Sequence, residues 1–379
     1  MRILLYGAGK TGNTAVFYAY KNAVPNLETS FEPDELSKLN ILNTPNLLVK
    51  SLAVMKYARE AQYFRYFDKK ILIIRHPFDR LVSYALYAPN NGHGFYNDAK
   101  MESYVDLLKN KLAAPGSIPF REIVERTDSY RPRSNGTHGP VNALAKIAEA
   151  HPDFHVLRYE DFVDGRLQEL NRYNGFDVPS DPDISDQRQK VARSKAYGDW
   201  HKWFLPEDVE YFKGIYRNYL NCFRYETTLQ SSEPLDEATT VAYSIKVNNQ
   251  ARRTRWLPEF RTGSVTLAEE GERFQDAKRA LLTGKLDSAE EMVDNMLAAN
   301  PRVAGFHHLR SRIMAKKGDY ARASEALRQA IAILPEEFEF HRLLSVALRK
   351  TGNKREAAAA EAKARMLAGS SQKRRAMSQ

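Results

Sequence analysis

Short apolar runs recur along the N-terminal part of the chain, separated by segments whose apolar residues return every three or four positions. The runs Ile3–Tyr6, Leu47–Lys50, Lys70–Ile74 and Phe154–Leu157 have the length and composition of buried strands. Strands that alternate with helices predict a three-layer α/β fold with a mainly parallel sheet. The predicted helices are Asn13–Tyr20, Asp34–Leu39, Ala53–Phe67, Phe78–Tyr87 and Leu205–Phe223.

The C-terminal part carries a different pattern, in which glycine returns at a fixed interval. Gly284, Gly318 and Gly352 follow one another every 34 residues, and alanines and prolines repeat with them. This period is the signature of tetratricopeptide repeats, in which paired helices stack and bury one another's faces. We therefore expect an all-α, tetratricopeptide-like domain that binds a protein partner or associates with a second copy. The alternative is a purely structural cap.

These patterns divide the chain into four parts. An α/β domain is expected at residues 1–228 and the repeat domain at residues 267–370. Residues 229–266 are interpreted as a linker or strap. Residues 371–379 are interpreted as a disordered basic tail, because Lys373, Arg374 and Arg375 stand close together there.

Composition and charge restrict the classes of function. The 379 residues carry a net charge of +10, which suits an anionic partner such as a polyanionic nucleotide or an acidic glycan. Cys222 is the only cysteine, so no intramolecular disulfide is possible and a reducing, cytoplasmic location is expected. No apolar run reaches the length of a transmembrane segment, and the first strand leaves no room for a signal peptide.

A glycine-rich turn follows the first apolar run. Gly7, Gly9 and Gly12 separate the predicted strand from the predicted helix, and the N-terminus of a helix has unpaired N–H groups at its positive end. Such a turn captures phosphate or another oxyanion. Lys10 adds a mobile charge, and Thr11 and Thr14 add hydroxyl donors.

Two common nucleotide motifs compete for this turn. Its spacing, Gly7-x-Gly9-x-x-Gly12, matches the dinucleotide-binding fingerprint, in which Glu28 would have to serve as the ribose-binding acid. Pro25–Ser30 is, however, a poor second strand. A Walker A loop is excluded because Leu4 stands where its first glycine belongs.

A third interpretation comes from a family resemblance. Gly9-Lys10-Thr11-Gly12-Asn13-Thr14 resembles the 5′-phosphosulfate loop of sulfotransferases, P-K-S-G-T-T, with Gly9 in place of Pro and Asn13 in place of Thr. That family uses 3′-phosphoadenosine 5′-phosphosulfate (PAPS) as its donor. The resemblance implies that these six residues bind the 5′-phosphosulfate.

A second stretch resembles the 3′-phosphate motif of the same family, R-x-P-x-D-x-x-x-S. Arg75 and Ser83 match its Arg and Ser, and Pro77 and Asp79 match as structural residues. Arg75 leaves a predicted strand, and Ser83 lies about two turns into the next helix. Both can therefore reach one phosphate, to which the arginine offers a fork of charged donors.

Two later stretches complete the resemblance, which covers residues 1–228. Arg193-Ser194-Lys195, followed by Gly198-Asp199-Trp200, is similar to the R-K-G-x-x-G-D-W loop that closes over the 3′-phosphate. Tyr159 matches a residue that lines the adenine pocket. Glu160 and Asp161, which follow it, are interpreted as structural caps and ion-pair partners.

The resemblance also implies catalytic roles. Charge builds on the bridging oxygen of the leaving phosphate during sulfuryl transfer, and we expect Lys10 to stabilise that oxygen. Lys50 matches a second family lysine near the transferred group. Sulfotransferases that act on phenols and steroids have a histidine as general base where this chain has Leu52, which cannot take a proton. Glu32, in Phe-Glu-Pro, resembles the general base of carbohydrate sulfotransferases, with His93 and His138 as alternatives.

The sequence therefore predicts a PAPS-dependent sulfotransferase that acts on a hydroxyl of a carbohydrate or glycoconjugate. No nucleic-acid partner is expected, and no metal, because no cluster has ligand spacing. Two alternatives stay open: a GxGxxG oxidoreductase, and a catalytically inactive nucleotide-binding scaffold whose repeats recruit a partner.

Overall fold

The chain folds into two compact units. The computed structural model describes residues 1–52, 54–90, 92–130, 137–183, 196–230, 233–263 and 266–376. The first unit comprises Met1–Ala88 and Tyr104–Ser244, and the second comprises Pro89–Ser103 and Ile245–Gln379. Within the described ranges, no helix is both long enough and apolar enough to cross a membrane.

A parallel five-stranded sheet forms the centre of the first unit, with the strand order β2-β3-β1-β4-β5. Central strand β1 pairs with β3 on one side and β4 on the other, because all three are apolar runs that can be buried on both faces. This confirms the prediction of an α/β fold with a mainly parallel sheet. The strands are β1 (Arg2–Gly7), β2 (Glu28–Phe31), β3 (Leu47–Ser51), β4 (Lys69–Ile74) and β5 (His155–Arg158).

Helices connect these strands and cover the sheet. Val16, Phe17 and Tyr20 of α1 are buried with Ile3, Leu5 and other strand residues in one apolar core. Within the described residues, and in chain order, the α-helices up to residue 223 are α1 (Asn13–Ala23), α2 (Tyr57–Phe64), α3 (Pro77–Tyr87), α4 (Asp98–Ala113), α5 (Phe120–Ser129), α6 (Gly139–Ala150), α7 (Tyr159–Val163), α8 (Gln168–Asn174), α9 (Trp200–Trp203), α10 (Pro206–Ile215) and α11 (Arg217–Phe223).

Several local predictions differ from the structure. Residues 28–31 do form a strand despite their polar composition, because β2 is an edge strand that pairs only with β3. The predicted helix at 34–39 is a single 3₁₀ turn, Leu36–Lys38. The predicted helix at 205–223 is two helices that meet at Tyr216, the C-cap of α10.

The second unit is built from helices that pack on their neighbours in chain order. Gly318, one of the periodic glycines, is the C-cap of a helix at φ 85°, a conformation that glycine adopts without steric cost. This confirms a helical C-terminal region. Its helices are α12 (Tyr243–Arg253), α13 (Glu270–Leu282), α14 (Leu286–Ala299), α15 (Ala304–Lys317), α16 (Tyr320–Ile333), α17 (Phe338–Lys350) and α18 (Lys354–Ala376).

The segment 229–266, interpreted as a linker or strap, is helical over part of its length. It contains α12, whose Arg252 is fully buried and forms an ion pair of 2.6 Å with the equally buried Asp98. Asp98 also accepts hydrogen bonds from Thr266 and Leu267. These contacts place residues 89–103, predicted as part of the first domain, in the second unit.

The C-terminal tail also differs from its prediction. α18 continues through Lys373, Arg374 and Arg375 to Ala376, rather than ending at residue 370. Residues 372–376 are glutamine, lysine, arginine and alanine, which are all strong helix formers.

His308 makes the stability of the second unit dependent on pH. Its ring lies 4.3 Å from Trp256 and 5.6 Å from Phe340, centroid to centroid, and burial lowers its pKa to about 4. As pH falls from 6.5 to 4, the unfolded chain binds a proton that the folded unit does not. Stability should therefore fall by about 2–3 kcal/mol over that window.

Urea unfolding of the full chain at pH 7 and pH 4.5 measures this loss. His308→Gln should reduce the difference between the two pH values by about 2 kcal/mol. His341→Gln serves as the matched control, because the ring of His341 contacts the Pro335 carbonyl at the surface. An identical pH dependence in His308→Gln and wild type would contradict the assignment.

Candidate functional site

The glycine-rich turn lies between the carboxyl end of β1 and the N-terminus of α1. Thr11 Oγ1 and Asn13 Nδ2 both donate to the carbonyl of Ala8, at 2.8 and 2.6 Å, which holds the turn closed on itself. Gly12 is the N-cap of α1, and within the described residues no side chain caps this helix and no acidic residue lies in its first turn. The helix N-terminus is therefore available to an anion.

Arg75 lies at the carboxyl end of β4, the strand next to β1. Its side chain is only 6% exposed, and Nη2 donates to the carbonyl of Ala196 at 3.2 Å. Among the described residues, its Nε has no hydrogen-bond partner. A buried donor without a partner is costly unless a ligand satisfies it.

Tyr159 connects these two groups. Its ring lies 4.5 Å from the guanidinium carbon of Arg75. The same ring packs so closely on Gly12 that a Cβ at that position would stand 2.2 Å from Tyr159 Cδ2. Since Tyr159 follows β5 directly, the ends of β1, β4 and β5 meet around one aromatic ring. The structure thus brings the glycine-rich turn, Arg75 and Tyr159 together.

A second cluster joins the ends of β2 and β3 to α1. The ammonium of Lys50 forms an ion pair with Glu32 and a hydrogen bond of 3.0 Å with Thr14 Oγ1. It also lies 3.9 Å from the ring centroid of Phe31. The Lys50 side chain is 2% exposed, whereas that of Glu32 is 42% exposed. In this cluster, the solvent-accessible carboxylate of Glu32 is therefore paired with the buried ammonium of Lys50.

Lys10 and Glu32 share an unusual backbone conformation. Their φ angles are 72° and 54°, in the left-handed region that favours glycine. Such positions cost about 1–3 kcal/mol and concentrate at functional sites. The N–H of Glu32 donates to the carbonyl of Lys50 at 2.8 Å, which holds the residue in place. The ammonium of Lys10 lies 3.6 Å from the ring centroid of Tyr87.

The residues after Arg75 hold the later segment in place. The buried carboxylate of Asp79 accepts from the N–H groups of Gly198 and Trp200, at 2.7 and 3.1 Å. This confirms that Asp79 is structural. Ser83 lies half-buried on α3. Arg193, Ser194 and Lys195 lie outside the described residues.

Glu160 and Asp161 are also structural, as predicted. Glu160 accepts from the N–H of His76 and from the hydroxyl of Tyr225, at 2.7 and 2.9 Å, and burial raises its pKa. Asp161 forms an ion pair of 2.8 Å with Arg166.

Sequence reasoning missed Arg80. This buried residue on α3 donates from Nε to the carbonyl of Gly9 at 3.0 Å and from Nη1 to the carbonyl of Thr137. It therefore ties the glycine-rich turn to the segment that precedes α6. The one available sequence signal for a role of Arg80 was its position directly after Asp79, in the stretch that resembles the 3′-phosphate motif. The neighbouring residues do not distinguish it from a surface arginine.

The two alternative bases are placed differently from Glu32. Nδ1 of His138 lies 2.7 Å from the Tyr216 hydroxyl, and burial lowers its pKa. His93 belongs to a 3₁₀ turn of the second unit, His93–Tyr96.

Comparisons with known proteins add no family assignment: no model of a known protein family matches the chain, and no curated protein matches it. A search of the described residues finds no group of three or more His, Cys, Asp or Glu side chains able to hold a metal ion.

The close contact between Gly12 and Tyr159 predicts a position-specific loss of stability. Gly12→Ala combines the clash with the ring and a φ of 89°, so we expect the free energy of unfolding to fall by about 2–3 kcal/mol. Gly9→Ala is the matched control, because an added Cβ there meets no atom of the described residues within 4 Å. Urea unfolding measures both, and equal losses would contradict the packing argument.

Proposed function

We propose that the protein is a PAPS-dependent sulfotransferase with a sulfotransferase-type three-layer domain, which acts on a hydroxyl of a carbohydrate or glycoconjugate. The observation that carries this proposal is the meeting of two motifs around Tyr159. The residues that resemble a 5′-phosphosulfate loop and the arginine that resembles a 3′-phosphate ligand contact the same ring. One ligand with two anionic groups and an aromatic base suits this arrangement.

Each part of the donor has a complementary group. The α1 N-terminus, with Lys10, Thr11 and Asn13, would hold the 5′-phosphosulfate, as helix N-termini hold phosphate. The unpartnered Nε of Arg75 would donate to the 3′-phosphate, to which Ser83 would add a hydroxyl. Tyr159 would pack against the adenine.

The chemistry is then a single displacement at sulfur. The acceptor oxygen forms a new bond to sulfur while the bond from sulfur to the bridging phosphate oxygen breaks, and adenosine 3′,5′-bisphosphate leaves. Lys10 and Lys50 would stabilise the charge on the leaving oxygen and the sulfuryl group. Glu32, accessible to solvent, would take the proton of the acceptor hydroxyl.

The strand order disfavours the dinucleotide alternative. In the dinucleotide fold the strand beside β1 is β2, and it supplies the ribose-binding acid. Here the strand beside β1 is β3, and it ends at Lys50 and Ser51. Glu28 is the first residue of β2, so it lies at the amino end of the parallel strands. The glycine-rich turn lies at their carboxyl end.

Thermal unfolding with added nucleotide tests the proposal. Adenosine 3′,5′-bisphosphate at 100 times its dissociation constant should stabilise the protein by about 2.7 kcal/mol, whereas NADH at the same concentration should not. Transfer of radiolabelled sulfate from PAPS to a glycan mixture then tests turnover. Binding without turnover on any acceptor would favour the inactive scaffold, and stabilisation by NADH alone would overturn the proposal.

A further inference from the structure

A cavity of about 460 Å³ lies within the second unit. Its walls come from α13, α15, α17 and the segment that follows α12. Trp256, Phe274 and Leu309 supply an apolar wall, and several cations supply the rest. Both the size and the mixture of aromatic and charged groups are typical of small-molecule sites.

Within the described part of the chain, three of the cations form no ion pair. Arg255, Lys278 and Arg312 line the cavity, and in the described part of the chain none of them pairs with a carboxylate. In the same ranges, Nε of Arg255 is buried and has no hydrogen-bond partner. The carboxylate of Glu339 is already occupied, because it holds Arg342 by two hydrogen bonds of 2.7 and 2.6 Å.

The cations are close enough to affect one another. Burial lowers the pKa of Lys278, and the charges of Arg255 and Arg312 lower it further. The folded unit therefore keeps three like charges together at a cost in free energy. Clusters that cost stability without a structural partner are candidates for binding sites.

The positions of the three cations on the chain favour a tetrahedral anion. The three cations belong to three different segments: Arg255 follows α12, Lys278 lies on α13 and Arg312 lies on α15. A tetrahedral sulfate or phosphate monoester offers three free oxygens to donors from three directions, whereas a carboxylate offers two in one plane. The adjacent aromatic wall suits a ring attached to that group.

We propose that this cavity binds a sulfate or phosphate monoester carried on a ring, such as a sulfated sugar or a nucleotide. If the ligand is a sulfated sugar, it belongs to the product class of the proposed sulfotransferase, and that choice of source rests on the proposed function. The anion site itself rests only on the cavity and its cations.

Isothermal titration of the full chain tests the site with separate probes: a disaccharide carrying one sulfate, its desulfated form, adenosine 3′,5′-bisphosphate, inorganic sulfate and triglutamate. The nucleotide is titrated into Arg75→Ala, so that the first unit does not contribute. We expect the sulfated disaccharide or the nucleotide to bind at least tenfold more tightly than inorganic sulfate. Which of the two binds identifies the source.

Lys278→Gln and Arg312→Gln should each weaken that binding by about tenfold or more, since each removes a charge-assisted contact. Arg273→Gln is the matched control, because Arg273 lies on the same helix as Lys278 but pairs with Glu269 outside the cavity. Lys278→Gln should also raise the Tm of the ligand-free protein by about 1–3 °C, because it relieves the repulsion.

Three outcomes would overturn the inference: no binding of either monoester, tighter binding of triglutamate, or binding that Lys278→Gln and Arg312→Gln leave unchanged. Failure of the proposed sulfotransferase activity appears separately, as equal nucleotide binding by the wild-type full chain and Arg75→Ala or as a lack of turnover. Binding of the sulfated disaccharide in a protein without turnover would keep the anion site and reject the proposed function.

Discussion

Arg75→Ala is expected to weaken the binding of adenosine 3′,5′-bisphosphate by between about 100- and 10,000-fold. The guanidinium is buried at the end of β4, is stacked on Tyr159 and has a free Nε donor among the described residues. Two charge-assisted hydrogen bonds to a phosphate contribute about 1.5–3 kcal/mol each, which corresponds to that range. Isothermal titration of wild type and variant measures the change.

Two further variants separate binding from stability. Arg75→Lys keeps the charge but loses the fork, so its affinity should lie between those of wild type and Arg75→Ala. Arg158→Ala is the matched control at the end of the neighbouring strand, where Arg158 donates to the Phe223 carbonyl and stacks on Tyr225. It should lower stability and leave the affinity unchanged. A folded Arg75→Ala with wild-type affinity would refute the donor site.

Glu32→Gln is expected to lower kcat by between about 100- and 10,000-fold while the affinity for adenosine 3′,5′-bisphosphate stays unchanged. General base catalysis contributes about that factor, and an amide cannot take the proton of the acceptor hydroxyl. The substitution preserves size and a polar contact with Lys50. Steady-state kinetics with PAPS and a glycan acceptor provide kcat.

Glu28→Gln is the matched control for Glu32→Gln. Glu28 is the first residue of β2, whereas Glu32 directly follows the last one. Because Glu28 is exposed and lies at the opposite end of this strand, its replacement should leave kcat unchanged. A kcat of Glu32→Gln within about threefold of wild type would exclude Glu32 as the base. In that case, the same measurement on His138→Gln would test the next candidate.

The parts of the site that local sequence determines were predictable. Glycine spacing after an apolar run predicted the turn before α1, and the apolar run Lys70–Ile74 predicted that Arg75 would follow a buried strand. These features depend on steric rules and hydrophobic burial within a few residues of chain. The resemblance to the 3′-phosphate motif implied that Asp79 is structural, and Asp79 accepts hydrogen bonds from the N–H groups of Gly198 and Trp200.

The boundary between the units was not predictable in this way. Asp98 and Arg252 are 154 residues apart, and a sequence pattern does not show that two opposite charges will be buried together. Their ion pair joins residues 89–103 to α12, which lies in the segment interpreted as a linker or strap. From their residue types, Asp98 and Arg252 would be expected at the surface. They can be buried only because the fold brings each of them to a partner of opposite charge.

By itself, the sequence determined the elements that depend on short-range periodicity: the apolar strands β1, β3, β4 and β5, the glycine-rich turn and the helical C-terminal region. Only the tertiary structure decided which of these elements meet. The strand order β2-β3-β1-β4-β5 brings Tyr159 between Gly12 and Arg75, and it brings Lys50 to Glu32 and Thr14. The physical reason is that strand order follows from the burial of whole faces across the sheet, a long-range requirement that no single segment encodes.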